Sequence, residues 1–368
     1  MAELLKNRYN GPFFERFLYS VRQVLPHFHE KSFLTDIYDE DWKYRELKPR
    51  MQHIAMVLKE YLGPDYKTNV NTILDIIQQL QVDGVKEDSF EYMFFPDFIE
   101  RYGLEYYEVS VKALESVTQF TSCEFAVRPF IIKYEQRMMK QMLLWSKHKH
   151  ASVRRLSSEG CRPRLPWAMA LPALKEDPGP VLPILENLKN DESESVRRSV
   201  ANNLNDISKD NPALAIKLIK KWEGKTAETD KLVKHAARTL LKQGEPELME
   251  LFGFGSLSKI KIDGFKVITP KVHIGESLQF DFDLHNTNGK ETILRLEYGI
   301  YYQKANGSLS KKVFKISERA YPKESVTPIT RKQPFKVIST RKFHVGKHQV
   351  SLIINGQELE KKDFELQQ

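Results

Sequence analysis

Residues 151–209 read ASVRRLSSEGCRPRLPWAMALPALKEDPGPVLPILENLKNDESESVRRSVANNLNDISK, and this stretch decides the fold. Its two Val-Arg-Arg triplets, at Val153 and Val196, each open what the apolar spacing predicts to be a short helix. Similar helices are predicted at Val111 and Val233, so the four valines are spaced by 42, 43 and 37 residues. Another apolar helical segment precedes each of them. Helix pairs that repeat about every 40 residues are typical of HEAT and armadillo solenoids.

The rest of the chain divides around this repeat. Residues 1–100 keep the helical spacing of aromatic and aliphatic side chains. After Gly253 the pattern changes to alternation with a period of two, and Asn-Gly turns separate about seven short runs, as in an immunoglobulin-like β-sandwich. We therefore expect a HEAT-like helical domain over residues 1–256 and a β-sandwich over residues 257–368. The clearest predicted strands are 259–263, 277–284, 293–302, 311–316 and 349–354.

The composition indicates a folded globular protein, because 41% of the residues are hydrophobic and 11% are aromatic. The first thirty residues carry scattered charges, so they do not resemble a signal peptide. No apolar run approaches the roughly 18 residues that span a bilayer. Cys123 and Cys161 are far apart in the sequence, which favours two free thiols in a reducing cytosol.

The net charge of +8 belongs entirely to the C-terminal segment. Residues 257–368 hold 20 Lys and Arg against 12 Asp and Glu, whereas residues 1–256 hold 37 of each sign. Such an asymmetry is expected of a domain that binds an anionic partner, of which nucleic acid is the commonest. A basic surface that serves only solubility is the alternative.

Two carboxylates in the opening stretch, Glu159 and Asp206, stand apart from its many arginines. At 100° per residue, Asp206 shares a polar stripe with Arg198, away from the buried valines, and Glu159 follows Arg155 in the same way. Carboxylates repel the phosphates that arginines attract. Near the C-terminal end of its helix, Asp206 also opposes the macrodipole by about 0.3–1 kcal/mol. Either a functional role or screening by Lys209 would account for it.

Glu124 and Trp167 each allow two interpretations. Glu124 follows Thr121 by three residues, which matches a capping box in which the glutamate returns to the Thr121 amide. Trp167 lies in a proline-rich connection, either as a packed aromatic or as an exposed wedge against nucleic acid. The histidine pairs at 148/150 and 344/348 have no Cys or carboxylate at ligand spacing, so no metal site is predicted.

Three segments resemble the AlkC branch of the bacterial DNA alkylation repair glycosylases. The resemblance covers residues 1–256, and the appended immunoglobulin-like domain is similar to a subset of that branch. It implies a HEAT-like solenoid whose concave face holds DNA. It also implies removal of cationic N-alkylated bases, chiefly 3-methylcytosine and 3-methyladenine. The segments are TQFTSCEFAVRPFI (118–131), SVRRLSSEGCRPRLPWA (152–168) and SVRRSVANNLND (195–206).

Residue by residue, the resemblance assigns the family's catalytic carboxylates to Glu124, Glu159 and Asp206. Trp167 matches the aromatic residue that lies near the lesion. With this assignment, Glu124 has a catalytic interpretation beside the capping one, since one carboxylate can hold a cap before DNA binds. Departure of a cationic base builds oxocarbenium character on the deoxyribose, which a carboxylate stabilises while it orients or deprotonates water.

The resemblance implies a reaction without a metal or other cofactor. The expected partner is double-stranded DNA that contains alkylated bases. We expect the protein to act as a monomer in the bacterial cytoplasm, associated with the nucleoid through DNA and not with membranes. The arginines expected to hold phosphates around the lesion are Arg154, Arg155, Arg162, Arg164, Arg197 and Arg198.

Two other classes of function compete with the glycosylase. HEAT arrays often act only as recognition scaffolds, so a non-enzymatic DNA-binding protein is the first. A protein-binding scaffold with a sandwich interaction domain is the second. Binding with steep salt dependence and no turnover would select the DNA scaffold. Absence of affinity for DNA at low salt would select the protein scaffold.

Overall fold

The computed structural model describes residues 4–337 and 342–368. A helical N-terminal region is followed by a β-rich C-terminal domain, as predicted. Within the described residues, no helix is both long enough and apolar enough to cross a membrane.

The chain forms two compact units that do not coincide with the predicted division. Residues 212–221 and the last short helices before the sandwich group with the strands. These units are defined by packing and do not test where one domain ends and the next begins. The predicted domain boundary between residues 256 and 257 therefore stays a prediction. The units are Met1–Asn211 with Trp222–Ala236, and Pro212–Lys221 with Ala237–Gln368.

The described part of the helical region contains fifteen α-helices. Most are shorter than 15 residues and are joined by short connections. They are α1 (Gly11–Val24), α2 (Glu30–Ile37), α3 (Leu47–Tyr61), α4 (Tyr66–Val82), α5 (Phe94–Tyr102), α6 (Tyr107–Val117), α7 (Val127–Trp145), α8 (Ala151–Glu159), α9 (Pro172–Glu176), α10 (Leu182–Leu188), α11 (Glu194–Ile207), α12 (Pro212–Trp222), α13 (Ala227–Ala236), α14 (Arg238–Gln243) and α15 (Pro246–Leu251).

Helix α1 illustrates how the local sequence sets these elements. Asn10 precedes the helix, and its side-chain oxygen accepts a hydrogen bond from the Phe13 amide at 3.1 Å. This bond satisfies one of the amides that a helix start leaves without a partner. Phe13, Phe17 and Val21 recur at helical spacing and are buried, which confirms the predicted apolar face.

Three of the four predicted repeat helices, namely α8, α11 and α13, pack together in the first unit. Helix α11 contacts both α8 and α13. Val153, Val196 and Val233 are fully buried, and Val111 is buried as well. Val153 and Val196 lie two residues after their helices begin, as the triplets predict. The other two valines lie further inside α6 and α13, so those predicted helix starts were too late.

The C-terminal domain is a β-sandwich of two sheets. One sheet has three strands in the order β1-β3-β6, and the other has five in the order β2-β8-β7-β4-β5. Strands β2 and β8 are parallel, whereas the other paired strands are antiparallel. The strands are β1 (Ile260–Val267), β2 (Lys271–His273), β3 (Ser277–Asn286), β4 (Thr292–Gln303), β5 (Leu309–Tyr321), β6 (Ser325–Pro334), β7 (Gly346–Ile354) and β8 (Gln357–Gln367).

Alternation along the strands decides which side chains fill the sandwich. In β3, Leu278, Phe280 and Phe282 point into the core and are buried. The five named runs fall in β1, β3, β4, β5 and β7, which confirms them. The Asn355-Gly356 pair forms a two-residue turn between β7 and β8, with φ of 45° and 77°. Positive φ at both positions is the geometry of a type I′ hairpin turn.

We expect the buried side chain of His348 to make the stability of the sandwich depend on pH. Its ring is fully buried, Nδ1 accepts from the Gln303 amide, and Nε2 donates to the His344 carbonyl at 2.9 Å. Burial lowers the pKa of His348 below its ordinary value of 6.5. The unfolded chain therefore binds the proton first, and stability falls as the pH drops below about 6.5.

We expect this loss to be about 1.4 kcal/mol for each unit by which the pKa is lowered. Melting curves between pH 5 and pH 8 should show a flatter dependence on pH in His348→Gln than in the wild-type chain. The exposed His273 offers a matched control, because His273→Gln should keep the wild-type slope. Equal slopes for His348→Gln and the wild type would contradict the assignment.

Candidate active site

Glu159 and Asp206 lie at the ends of neighbouring helices and share one guanidinium. Glu159 is the last residue of α8, and Asp206 precedes the last residue of α11. Arg162, in the loop after α8, reaches Glu159 Oε1 with Nη1 at 2.6 Å and Asp206 Oδ2 with Nε at 2.8 Å. The three side chains are at most 7% exposed. The two carboxylates therefore form a buried, charge-paired unit.

The helical wheel placed Asp206 on an exposed polar stripe, and that part of the prediction is wrong. Arg198, about two turns earlier on the same face, is 65% exposed, whereas the Asp206 side chain is 1% exposed. The loop that follows α8 brings Arg162 onto the last turn of α11, which covers Asp206. Lys209 Nζ lies 2.8 Å from the other oxygen, Oδ1, so the predicted screening by Lys209 is present.

Glu124 joins the same group from the segment before α7. Its Oε2 accepts one hydrogen bond from Ser122 Oγ and another from Arg155 Nη1, both at 2.8 Å. Arg155 Nη2 in turn lies 3.9 Å from Glu159 Oε1. The three predicted carboxylates are thus brought together in one chain of ion pairs, which we call the carboxylate network: Glu124, Arg155, Glu159, Arg162, Asp206 and Lys209.

The capping-box interpretation of Glu124 is wrong. Helix α7 begins at Val127, too late for Thr121 to be its N-cap. The Thr121 amide bonds to the Val117 carbonyl, and its hydroxyl donates to the Ser89 carbonyl. The Glu124 carboxylate is directed to Arg155 instead, so it is available to the network.

The carboxylate network balances its charges internally. Burial alone would lower the pKa of the Arg162 guanidinium, but the ion pairs with Glu159 and Asp206 raise it above its ordinary value. The pKa of Arg155 is raised by Glu124 and Glu159 against the same effect of burial. Both arginines therefore stay cationic. Among the described residues, no group of three or more His, Cys, Asp or Glu is arranged to hold a metal ion.

Trp167 is an exposed and strained aromatic residue. Its side chain is 70% exposed, and its φ is +65°, in the left-handed region that favours glycine. Such a conformation in a bulky residue costs about 1–3 kcal/mol and persists only where the surroundings impose it. Of the two interpretations from the sequence, the packed aromatic is wrong and the exposed one is right. Contact of the Trp167 side chain with nucleic acid stays a prediction.

Arg128 holds the loop that carries Arg162 and Trp167. This α7 residue is fully buried, and its guanidinium donates to the carbonyls of Gly160 at 2.8 Å, Arg162 at 2.9 Å and Met169 at 2.7 Å. Burial lowers the pKa of Arg128 to about 10. Sequence reasoning missed this residue. The sequence feature that could have identified Arg128 is an arginine among the apolar residues of the VRPFI segment. In such a buried position only internal hydrogen bonds can satisfy a cation.

The remaining predicted arginines differ in exposure. Arg154 is 10% exposed, pairs with Asp191 and caps two backbone carbonyls, so it fastens the start of α8. Arg197 donates to two backbone carbonyls before α11. Arg164 pairs with Asp210 in a bidentate arrangement and is 40% exposed, and Arg198 is more exposed still. Phosphate contact by Arg164, Arg197 and Arg198 stays a prediction.

Both cysteines lie directly beside residues of the carboxylate network. Cys123 precedes Glu124 and Cys161 precedes Arg162, and both are buried free thiols. Burial raises the pKa of Cys161 to about 12 and raises that of Cys123 strongly as well. Neither thiol is positioned as a reactive group.

Two family models match the chain. The model described as "DNA alkylation repair enzyme" matches residues 98–243, which include every member of the carboxylate network. The model described as "Uncharacterised protein YhaZ, C-terminal Ig-like domain" matches residues 261–368. The two matches correspond to the helical region and to the sandwich.

Two full-length relatives agree with these matches. The chain is 43% identical over 367 residues to the uncharacterized protein YhaZ of Bacillus subtilis (strain 168), and the alignment covers 100% of both. It is 32% identical to the alkylpurine DNA glycosylase AlkC of Pseudomonas fluorescens, whose structure was solved bound to DNA containing an abasic site analog. That match covers 100% of both chains with a TM-score of 0.90.

Proposed function

The chain belongs to the AlkC-type DNA alkylation repair glycosylases that carry a C-terminal immunoglobulin-like domain, and on this premise we propose that it is a monofunctional DNA glycosylase. Its substrate is double-stranded DNA with cationic N3-alkylated bases, namely 3-methylcytosine and 3-methyladenine. It hydrolyses their N-glycosidic bond as a monomer, in base excision repair, without a metal or other cofactor.

The observation that carries this proposal is the carboxylate network. Glu124, Glu159 and Asp206 come from three separate segments, and the arginines between them keep these carboxylates in fixed positions. A protein that only bound DNA would gain nothing from three clustered carboxylates, because carboxylates repel phosphate. A developing cation, by contrast, is stabilised by fixed negative charge in a site of low dielectric.

The reaction balances without a further reagent. The bond between the deoxyribose C1′ and the base nitrogen breaks, and its electron pair leaves with the base, which becomes neutral. A water oxygen bonds to C1′, and its proton passes to a carboxylate and then to solvent. We assign the water to Glu124, the most exposed of the three carboxylates at 16%. Asp206 contributes negative charge from beneath the surface, and Glu159 holds Arg162.

Exposed cationic side chains bind the phosphates of the DNA backbone. Arg198 lines a surface cavity together with Lys231 and His235, between α11 and α13. Arg164 is 40% exposed, and the indole of Trp167 is available to the grooves of DNA. The C-terminal sandwich adds the whole surplus of positive charge. Arg154 and Arg162 are too buried to contact phosphate, so we propose that they fix the site instead.

The test is base release from duplex oligonucleotides that contain one defined 3-methylcytosine, 3-methyladenine or 7-methylguanine. We expect release of the first two bases, detected as free base and as an alkali-labile abasic site. An unmodified duplex of the same sequence is the control. Binding of the alkylated duplexes without release of any base would contradict the proposal and select the non-enzymatic DNA scaffold. Failure to bind DNA at low salt would select the protein scaffold.

A further inference from the structure

Lys48 connects two parts of the candidate site from a distant helix. It lies in the first turn of α3, and its Nζ donates to the carbonyl of Trp167 at 2.8 Å. The same Nζ lies 4.6 Å from the centroid of the Phe125 ring, within cation–π range. Phe125 follows Glu124 directly. One ammonium group therefore links the strained aromatic residue to the segment that carries a catalytic candidate.

The position of Lys48 does not serve its own helix. A positive charge in the first turn opposes the helix macrodipole, and no acidic residue in that turn compensates it. Two carboxyl groups of α5, Asp97 and Glu100, interact with the ammonium group. Burial raises the pKa of Asp97 to about 7 and raises that of Glu100, while Lys48 lowers both. These carboxyl groups therefore favour a cation at the position of Lys48.

The backbone of Trp167 requires such an attachment. With φ at +65°, the residue is held in a conformation that its side chain disfavours. Arg128 holds the carbonyl of Met169, and Lys48 holds the carbonyl of Trp167 itself. The bond to Lys48 restrains the peptide plane that follows Trp167.

We propose that Lys48 is a positioning residue that fixes the indole of Trp167 relative to Glu124. The inference rests on the proposed glycosylase function. A fixed indole affects catalysis only if it contacts DNA next to the carboxylates. It gives Lys48 no contact with the reacting atoms. Its effect passes through Trp167, and this property separates it from a general phosphate-binding lysine.

The first arm of the test is spectroscopic and needs no turnover. Trp42, Trp145 and Trp222 are buried, so Trp167 accounts for most quenching of fluorescence by acrylamide. Lys48→Met removes the ammonium and keeps the chain length, and it should change the quenching constant and lower the anisotropy of Trp167. Lys48→Arg retains a donor and should stay close to the wild type. An unchanged Trp167 signal in Lys48→Met would overturn the proposal.

The second arm is a double-mutant cycle on base release from 3-methylcytosine DNA. Lys48→Met should lower kcat by about ten- to a hundredfold, with little change in KM, because a small displacement of a positioned group has that effect. In a Trp167→Ala background, the same substitution should have no further effect. Lys43→Met, at an exposed lysine before α3, controls for the loss of one positive charge and should retain wild-type kcat.

The outcomes separate the two proposals. An equal loss from Lys48→Met in both backgrounds would show that Lys48 does not act through Trp167. A change confined to KM would assign it to DNA binding, which also overturns the inference. If the wild-type chain released no base, the glycosylase proposal would fail. The fluorescence arm would still decide whether Lys48 positions Trp167.

Discussion

Replacing Asp206 with asparagine is expected to lower the rate of base release at saturating DNA by about 10²–10³-fold. The amide keeps the shape of the side chain, and its oxygen can still accept from Arg162 Nε, which lies 2.8 Å away in the wild type. It removes the negative charge, however, and the network then carries a surplus of positive charge beside the developing oxocarbenium ion. The measurement is a single-turnover rate on 3-methylcytosine DNA.

Asp210 provides the matched control for this substitution. It lies one turn beyond Asp206 and forms a bidentate pair with Arg164 at the surface. Asp210→Asn removes the same charge from the same region, so it should release base within about threefold of the wild-type rate. Melting temperatures of both variants identify any loss that comes from unfolding. A wild-type rate for Asp206→Asn, or an equal loss for both variants, would argue against a catalytic role of Asp206.

Replacing Arg162 with methionine is expected to lower the free energy of unfolding by about 3–5 kcal/mol. The methionine fills part of the same volume but leaves Glu159 and Asp206 as buried carboxylates without their shared partner. Base release should fall as well, because the carboxylates lose the group that fixes their positions. Denaturant unfolding monitored by circular dichroism measures the first effect.

Arg198→Met is the control for Arg162→Met, since Arg198 is 65% exposed and pairs with the exposed Glu194 in α11. Its free energy of unfolding should change by less than about 1 kcal/mol, because surface ion pairs contribute little. Its DNA affinity should fall, with a shallower dependence on salt. If Arg162→Met behaved in this same way, Arg162 would be a phosphate contact, as the sequence suggested.

The sequence predicted which carboxylates belong to the candidate site, but it did not predict their burial or their ion-pair partners. Periodicity placed Glu159 and Asp206 on one face of neighbouring helices, and the structure does bring them together. The bridge by Arg162 was not predictable, because it joins residues 44 positions apart through the packing of the loop after α8. A helical wheel describes a single helix, so it cannot show that a loop covers the last turn. The same limit hid Lys48, which contacts a residue 119 positions away.

The strands show a similar division. Runs with clear alternation, such as β3, were predicted because one face is apolar and the other polar. Strand β6 was missed, because Pro328 and Pro334 interrupt its pattern and proline cannot donate to a ladder. It is tolerated because, among the described strands, β6 lies at the edge of its sheet and pairs with β3. Edge position is a property of the sheet, and no local pattern encodes it.

The two buried thiols beside the carboxylate network have a consequence for the protein's own exposure to methylating agents. Methylating agents that damage DNA also attack proteins, and thiolates are the preferred protein target because they are the strongest nucleophiles. Cys123 and Cys161 adjoin Glu124 and Arg162, where an added methyl group would disturb the site. Burial excludes the electrophile, and the raised pKa of each thiol keeps it protonated. We therefore expect both thiols to resist the methylating agents whose DNA products we propose the site removes.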